Sequence, residues 1–239
     1  MLSLVLPCYN EKDNLKALFQ RLDLLVESEP GIEIVLVNNG STDGSDTVFK
    51  DELSVRNPQN FKVCRLEKNL GYGFGILSGL KFANGDVLSV THADRQTDPM
   101  DVLEAYELYK SENNAMVFVK GHRKNRKLSE AVFSYGMGLL ASWFLGTRLT
   151  EINAQPKLFS REFFEKAQNQ APYDFSLDLY FLYHAKRIGK IIEFPVYFSK
   201  RVAGEAKGGS GSSLKTKWKL VKRSFQYIAK LKESLNSIS

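Results

Sequence analysis

The chain has 239 residues, 43% of them hydrophobic and 25% charged, with a formal net charge of +6 and a pI near 9.1. That is enough for one large α/β domain with ordinary globular composition, and the basic balance points to anionic partners: nucleotides, phospholipid surfaces or nucleic acid. Cys8 and Cys64 are the two cysteines, both in strand-like runs, which excludes a disulfide framework or a zinc motif and fits a reducing cytosol.

The first half alternates strands and helices. Leu2 to Leu6 reads as a buried strand, ended by Pro7. Tyr9-Asn10-Glu11 follows, and Leu15, Leu18, Phe19, Leu22 and Leu25 recur at helical spacing, with Asn10 or Glu11 as the cap. Ile32 to Val37 is a second strand running into Asn38-Asn39-Gly40-Ser41-Thr42-Asp43-Gly44-Ser45, a polar turn that opens a helix. Phe61 to Leu66 is a third strand. Asn69-Leu70-Gly71-Tyr72-Gly73-Phe74-Gly75 then opens a helix through Ala83, and Val87 to Thr91 is the fourth strand. The pattern β-α-β-α-β-α-β implies right-handed parallel crossovers in a doubly wound sheet. Its polar loops then share one edge, where helix N-termini present free amides to anions.

The fourth strand ends in His92-Ala93-Asp94-Arg95-Gln96-Thr97-Asp98-Pro99. Ligands of open α/β sheets bind at the carboxyl ends of strands. An imidazole, a carboxylate and an amide oxygen there can hold one divalent ion beside a diphosphate. The bland reading is a polar turn. Asp98 suits a helix N-cap and Pro99 the first helical position, opening a helix from Met100 to Ser111.

Downstream, Ala115 to Lys120 reads as a strand and Gly121-His122-Arg123-Lys124-Asn125-Arg126-Lys127 as a basic loop, either solvated or a phosphate clamp led by Arg123. Val132 to Leu145 is an apolar helix. Pro156 makes Glu151 to Phe159 an edge strand or an irregular segment. Asp174 to Asp178 leads into a helix through Ile188, closed by Gly189. Ile191 to Phe198 is the last strand, and Pro195 again argues for an edge. Lys200 to Ser213 is a basic glycine-serine loop, read either as a closure over phosphate or as a linker. Leu214 to about Leu235 follows as a basic amphipathic helix bearing Trp218 and Phe225. Such a helix suits a membrane surface or its own domain. Its aromatic residues lie on the apolar stripe and are not interleaved for base stacking, so nucleic acid is not expected. No apolar run reaches a membrane span, and the amino-terminal residues do not read as a signal peptide.

Taken together, Leu6-Pro7-Cys8-Tyr9-Asn10-Glu11, Val37 to Ser45, Asn69 to Gly73, Gly85-Asp86 with His92 to Pro99, Lys157 to Arg161, and Pro195-Val196 with Arg201, Gly204 and Lys207 resemble family 2 glycosyltransferases of the GT-A fold. The resemblance runs from Leu2 to about Gly209 and is to the branch that transfers sugars to dolichol or polyprenyl phosphate. It implies a doubly wound, mixed but mostly parallel sheet, with a catalytic domain over 1–209 and a loop and helix over 210–239. It also implies a nucleotide pocket of Pro7, Tyr9, Glu11, Asn38, Asn39, Ser41, Asp43, Asn69 and Gly73, with Asp43 supporting its turn. The metal positions fall on His92, Asp94 and Gln96. Arg123, Arg201 and Lys207 would face phosphate, and Asp178 matches an acidic position of the family.

The departures bear on chemistry. Asn38 and Asn39 stand where the family usually has carboxylates, and His92 replaces the first metal aspartate. Neutral imidazole suits Mn²⁺ better than Mg²⁺, so a divalent cation is expected to bind weakly or to be optional. The expected reaction is inverting transfer from a nucleotide diphosphate sugar to a membrane polyprenyl phosphate, by a protein peripheral on the cytoplasmic face. A saccharide acceptor would instead need a base, for which Asp178 is the candidate. A non-catalytic nucleotide-sugar binder is the reading from another class.

Overall fold

The structure is a computed structural model that describes residues 1–112, 114–125, 128–199, 222 and 226–229, without the side chains of 128–133 and 137. Two compact units divide the chain, Met1–Asn125 with Ala154–Ala203 and Arg126–Asn153 with Gly204–Ser239.

The first unit is built on a seven-stranded sheet. Its strands are β1 (Leu2–Cys8), β2 (Glu33–Asn39), β3 (Phe61–Leu66), β4 (Val87–Val90), β5 (Val117–Lys124), β6 (Lys157–Ser160) and β7 (Lys190–Tyr197). Their order is β3-β2-β1-β4-β6-β5-β7. Every neighbouring pair is parallel except those of β6, which runs against both β4 and β5. β1 and β2 are covered on both faces, so they read as continuous apolar runs. On one face α1 (Lys12–Ser28) and α4 (Asp101–Lys110) lay Leu15, Leu18, Phe19, Leu22, Val102 and Ala105 on Leu2, Leu4, Leu6, Ile34 and Leu36. On the other, α3 (Tyr72–Phe82) crosses β1 and β2 at Gly79, where a Cβ would come within 2.5 Å of Val5 and Val37. α2 (Ser45–Ser54) follows β2, and α6 (Arg161–Ala167) and α7 (Leu177–Ile188) complete the unit. Phe118, Phe159, Phe163 and Phe181 join β5, β6, α6 and α7 in one aromatic cluster.

Three expectations change. The segment around Pro156 is not an edge: after a cis Gln155–Pro156 bond, β6 pairs with β4 on one side and β5 on the other. Pro156 stands just before the strand, so no ladder donor is lost. The basic stretch after Lys120 is strand through Lys124, because β7 pairs with it residue for residue. Asp98 accepts the Met100 amide at 3.0 Å, but α4 itself begins at Asp101. Helix α6, capped by the Ser160 side chain, is an element that the sequence reading lacked. β7 lies at the sheet edge, as Pro195 suggested.

The second unit carries α5 (Leu128–Leu145), which stops at Gly146 in the left-handed conformation (φ 66°). Ser142 Oγ takes the Leu149 amide at 2.8 Å and donates to the Gly138 carbonyl. Along this helix Tyr135, Leu139 and Trp143 are exposed at i, i+4 and i+8, Trp143 at 77%. Among the described residues, no helix is long and apolar enough to cross a membrane. Arg201, Lys207 and most of the expected terminal helix lie outside the described residues.

Candidate nucleotide and transfer site

The strand order reverses between β1 and β4, and the loops that leave their carboxyl ends flank that crevice. After β1, Asn10 sits in the left-handed region (φ 53°), a conformation that asparagine tolerates because its side chain bonds locally. Its amide N–H donates to Ser41 Oγ at 3.1 Å, and its Oδ1 accepts the Thr42 amide at 2.8 Å. Asp43 joins two helix starts: it accepts the Lys12 amide at 3.0 Å and the Ser45 amide at 3.0 Å. These bonds, with that of the Ser45 hydroxyl, hold the Asp43 carboxyl below its usual range against the opposing effect of burial. Glu11 accepts from the Asn14 side chain at 2.6 Å. Tyr9, Asn10 and Glu11 are thereby set beside the turn after β2.

Asn38 and Asn39 close β2, and both are buried. Asn38 Oδ1 accepts the Ser41 amide at 3.1 Å, while its Nδ2 donates to Asp46 at 3.3 Å. Asn39 Nδ2 donates to the Gly71 carbonyl at 3.1 Å and to Asn69 Oδ1 at 3.3 Å. An aspartate has no hydrogen to give to those oxygens. The asparagines therefore suit a network in which the side chain donates. Asn39 Oδ1 is buried with no hydrogen-bond partner among the described residues. The third loop is fitted equally closely. A Cβ on Gly73 would lie 2.4 Å from the Pro172 carbonyl and 2.7 Å from that of Asp174. Phe74 N–H donates to the Tyr173 carbonyl at 3.0 Å, and Tyr72 stacks on Phe175 at 4.8 Å between centroids.

After β4, Asp94 Oδ1 accepts the Gln96 amide at 3.1 Å, and the Gln96 carbonyl takes the Ser199 amide at 2.8 Å. Arg95 adopts φ 59° between them. Burial pushes the His92 imidazole below its ordinary value, opposed by Asp94 and Asp178 and aided by Lys157 and Arg123. A neutral imidazole can be a ligand. Among the described residues no three His, Cys, Asp or Glu side chains are grouped to hold an ion. By type, His92, Asp94 and Gln96 offer one imidazole, one carboxylate and one amide oxygen, a mixed donor set that Mn²⁺ tolerates better than Mg²⁺ does.

The region around Asp178 is charged and buried. The buried Lys157 donates to Asp178 Oδ1 at 2.5 Å. Gln155 Nε2 donates to the same oxygen at 3.2 Å, and Gln155 Oε1 is buried and unpartnered among the described residues. Burial and then the nearby Asp178 charge push the Tyr72 phenol well up, so it keeps its proton. Burial pushes the Lys157 ammonium down, and Asp178 opposes this. One strand over, Lys120 pairs with Glu193 at 3.0 Å, and Glu193 also meets His122 Nδ1 at 3.1 Å. Arg123 lies over the Phe198 ring at 5.6 Å. The sequence reading gave no role to Lys157, Gln155 or Tyr72. The legible signal was a lysine opening an otherwise apolar strand.

Comparisons with known proteins bear on the family and the fold. The profile of the family described as Glycosyl transferase family 2 matches residues 3–174. The dolichol-phosphate mannosyltransferase of Pyrococcus furiosus is 29% identical over 212 residues, 86% of this chain and 58% of that protein. The undecaprenyl-phosphate 4-deoxy-4-formamido-L-arabinose transferase of Aeromonas hydrophila is 31% identical over 103 residues, 43% of this chain and 31% of that protein. This chain spans less than two thirds of the length of either. Among solved structures, glucosyl-3-phosphoglycerate synthase from Mycobacterium tuberculosis in complex with uridine diphosphate shares the fold. The TM-score is 0.72 at 15% identity, over 98% of this chain and 80% of that one. Between the profile match and the sheet whose loops gather these side chains, the chain belongs to glycosyl transferase family 2.

Proposed function

We propose that this chain transfers a sugar, with inversion, from a nucleotide diphosphate sugar to a polyprenyl phosphate at a membrane surface. The observation that carries the choice of acceptor is the state of Asp178. A hydroxyl acceptor needs a base in contact with it. Asp178, the carboxylate best suited by sequence, is 6% exposed and engaged by Lys157 and Gln155. A phosphate monoester is already ionised near neutral pH and attacks without one. The likeness to a dolichol-phosphate mannosyltransferase over 86% of the chain supports the same acceptor class.

In this reading Pro7, Tyr9, Glu11, Asn38, Asn39, Ser41, Asn69 and Gly73 form the nucleotide pocket, and Asp43 holds its turn. Asp94, with His92 and Gln96, faces the diphosphate and would hold a divalent cation, which when bound neutralises the departing nucleoside diphosphate. Arg123 draws the acceptor phosphate to the face opposite the leaving group, so that the new bond forms with inversion; the roles of Arg201 and Lys207, outside the described residues, rest on the family resemblance alone. Rate enhancement then comes from positioning and charge neutralisation. Contact with the cytoplasmic face of the membrane is supported by the exposed Tyr135, Leu139 and Trp143 stripe of α5 and by the basic composition of residues 214–235.

The test is a panel of labelled nucleotide sugars offered to short polyprenyl phosphates with Mg²⁺, Mn²⁺ or a chelator. Label entering the organic phase with one donor supports the proposal. Label passing instead to a saccharide, or nucleotide binding with no transfer under any condition, overturns it in favour of a polysaccharide transferase or a non-catalytic binder, respectively.

A further inference from the structure

The face of the sheet that carries Asp178 changes character over one step of register. Phe118 and Phe159 face each other across β5 and β6 and stack at 5.4 Å. The next pair on that face, toward the loops, is Lys120 and Lys157, both 1% exposed. Two ammonium groups side by side in a sheet interior repel, and each is costly to bury alone. Each has its own carboxylate, Lys120 taking Glu193 and Lys157 taking Asp178. Continuing the phenyl ladder would serve packing at least as well, since buried ion pairs are often replaceable by apolar side chains without loss of stability. The switch from rings to charges falls where the sheet meets the crevice.

The two pairs differ in what else they hold. Glu193 spends its second oxygen on the half-buried His122. Asp178 also takes the amide of Gln155, and its charge acts on the buried Tyr72 hydroxyl. Tyr72 stacks on Phe175, and its neighbour Phe74 meets Tyr173 edge-on. The segment Pro172 to Phe175 is thus tied to the first turn of α3 by rings and by the Phe74 N–H to Tyr173 carbonyl bond.

We propose that Lys157 is a positioning residue of the transfer site: its buried ammonium fixes the Asp178 carboxylate, which orients the Tyr72 hydroxyl and with it the Tyr72–Phe175 wall beside the crevice. This rests on the reading above, in which Asp178 lies on the acceptor side and takes no proton. Lys157 touches no substrate. Its effect passes through Asp178, and either charge left alone disturbs the wall more than removing both.

The test uses the full chain and the variants Lys157→Gln, Asp178→Asn and the double Lys157→Gln/Asp178→Asn. Transfer to a short polyprenyl phosphate is followed beside calorimetric binding of UDP and GDP. Each single variant is expected to lose about 100-fold in kcat, the cost of a misplaced site, with the KM for donor and the nucleotide affinity unchanged. The double variant is expected to recover about tenfold over the singles, because neither charge is orphaned. Parent-like turnover of Lys157→Gln overturns the proposal. So does a double variant no better than Asp178→Asn, which would make Asp178 itself a proton acceptor. A second readout needs no turnover: with tyrosines labelled at Cζ, the Tyr72 signal, assigned with Tyr72→Phe, moves in Lys157→Gln. An unmoved signal overturns the positioning. Absence of transfer by the parent to any acceptor would instead overturn the lipid-phosphate reading, and the Tyr72 signal would still decide the role of Lys157.

Discussion

Glu33 opens β2 at the end of the sheet away from the site, and its side chain is 1% exposed. Its carboxylate receives Lys62 at 2.6 Å, Ser3 Oγ at 2.5 Å, the Asn84 side chain at 2.6 Å and the Asn84 amide at 2.7 Å. Burial alone would raise its pKa, but these donors outweigh burial and bring it from 4.5 down to about 2. At roughly 1.36 kcal/mol for each tenfold step in proton affinity, that depression is worth about 3 kcal/mol of folding stability. The carboxyl binds its proton more weakly when folded, so the contribution is complete above pH 4.5 and drains away as the pH falls toward 2. Glu33→Gln keeps the shape and removes the charge. The variant should be about 3 kcal/mol less stable than the parent at pH 7, and the gap should close between pH 4.5 and 2. Urea unfolding of both proteins at a series of pH values measures it, and titrations common to both cancel in the difference. A gap that stays constant down to pH 2.5, or one below about 1 kcal/mol at pH 7, would refute the reasoning. The residue matters to the site at one remove: the same network seats the Asn84–Gly85 turn that feeds β4.

Asp94→Asn should lower transfer by about 100- to 1,000-fold, as when a preorganised charge is removed, while the unfolding midpoint stays put; parent-like turnover would remove Asp94 from the site. His92→Asp should shift the preferred cation from Mn²⁺ toward Mg²⁺ by adding a hard oxygen donor, read as the ratio of rates in the two metals. Gly73→Ala should cost about 1–3 kcal/mol by overpacking, because its methyl would run into the Pro172 and Asp174 carbonyls; urea unfolding checks this. Replacing both Leu139 and Trp143 by Ser should weaken sedimentation with anionic vesicles by at least about tenfold, from ~1.5–3 kcal/mol for each large apolar side chain. Unchanged sedimentation would point to residues 214–235 instead.

The nucleotide half was legible because local pattern and tertiary role coincide there. Leu2–Leu6 and Ile32–Val37 are apolar because they are covered on both faces, and the helical spacing of Leu15 to Leu25 is the buried face of α1. The polar loops follow from the strand ends. The later half of the sheet was less legible because one of its strands, β6, is short and runs backwards. Lys157–Ser160 is four residues long and enters the sheet from outside its sequence neighbourhood, so neither period nor length betrays it. Pro156 suggested an edge because a single sequence does not show that the proline precedes the first ladder bond. Lys157 and Gln155 went unassigned because burial of a lysine against a carboxylate 21 residues later is a tertiary fact. The asparagines of β2 were legible as departures from carboxylates, but the reason, donation to the Gly71 carbonyl, depends on how α3 begins.

The reversed strand has a consequence for synthesis. On the ribosome the chain emerges amino end first, and β1 to β4 with their helices are contiguous up to Val90. This half can pair its strands as it appears. β4 then waits with one side uncovered, since its partner there, β6, begins only at Lys157. Until residues 91–156 have followed, the nascent protein carries a bare, four-residue apolar strand margin, the kind of surface on which chains stick to one another. The shortness of β4 limits that hazard, and the late arrival of β6 puts the covering of β4 and the completion of the Lys157–Asp178 pair in the later part of synthesis.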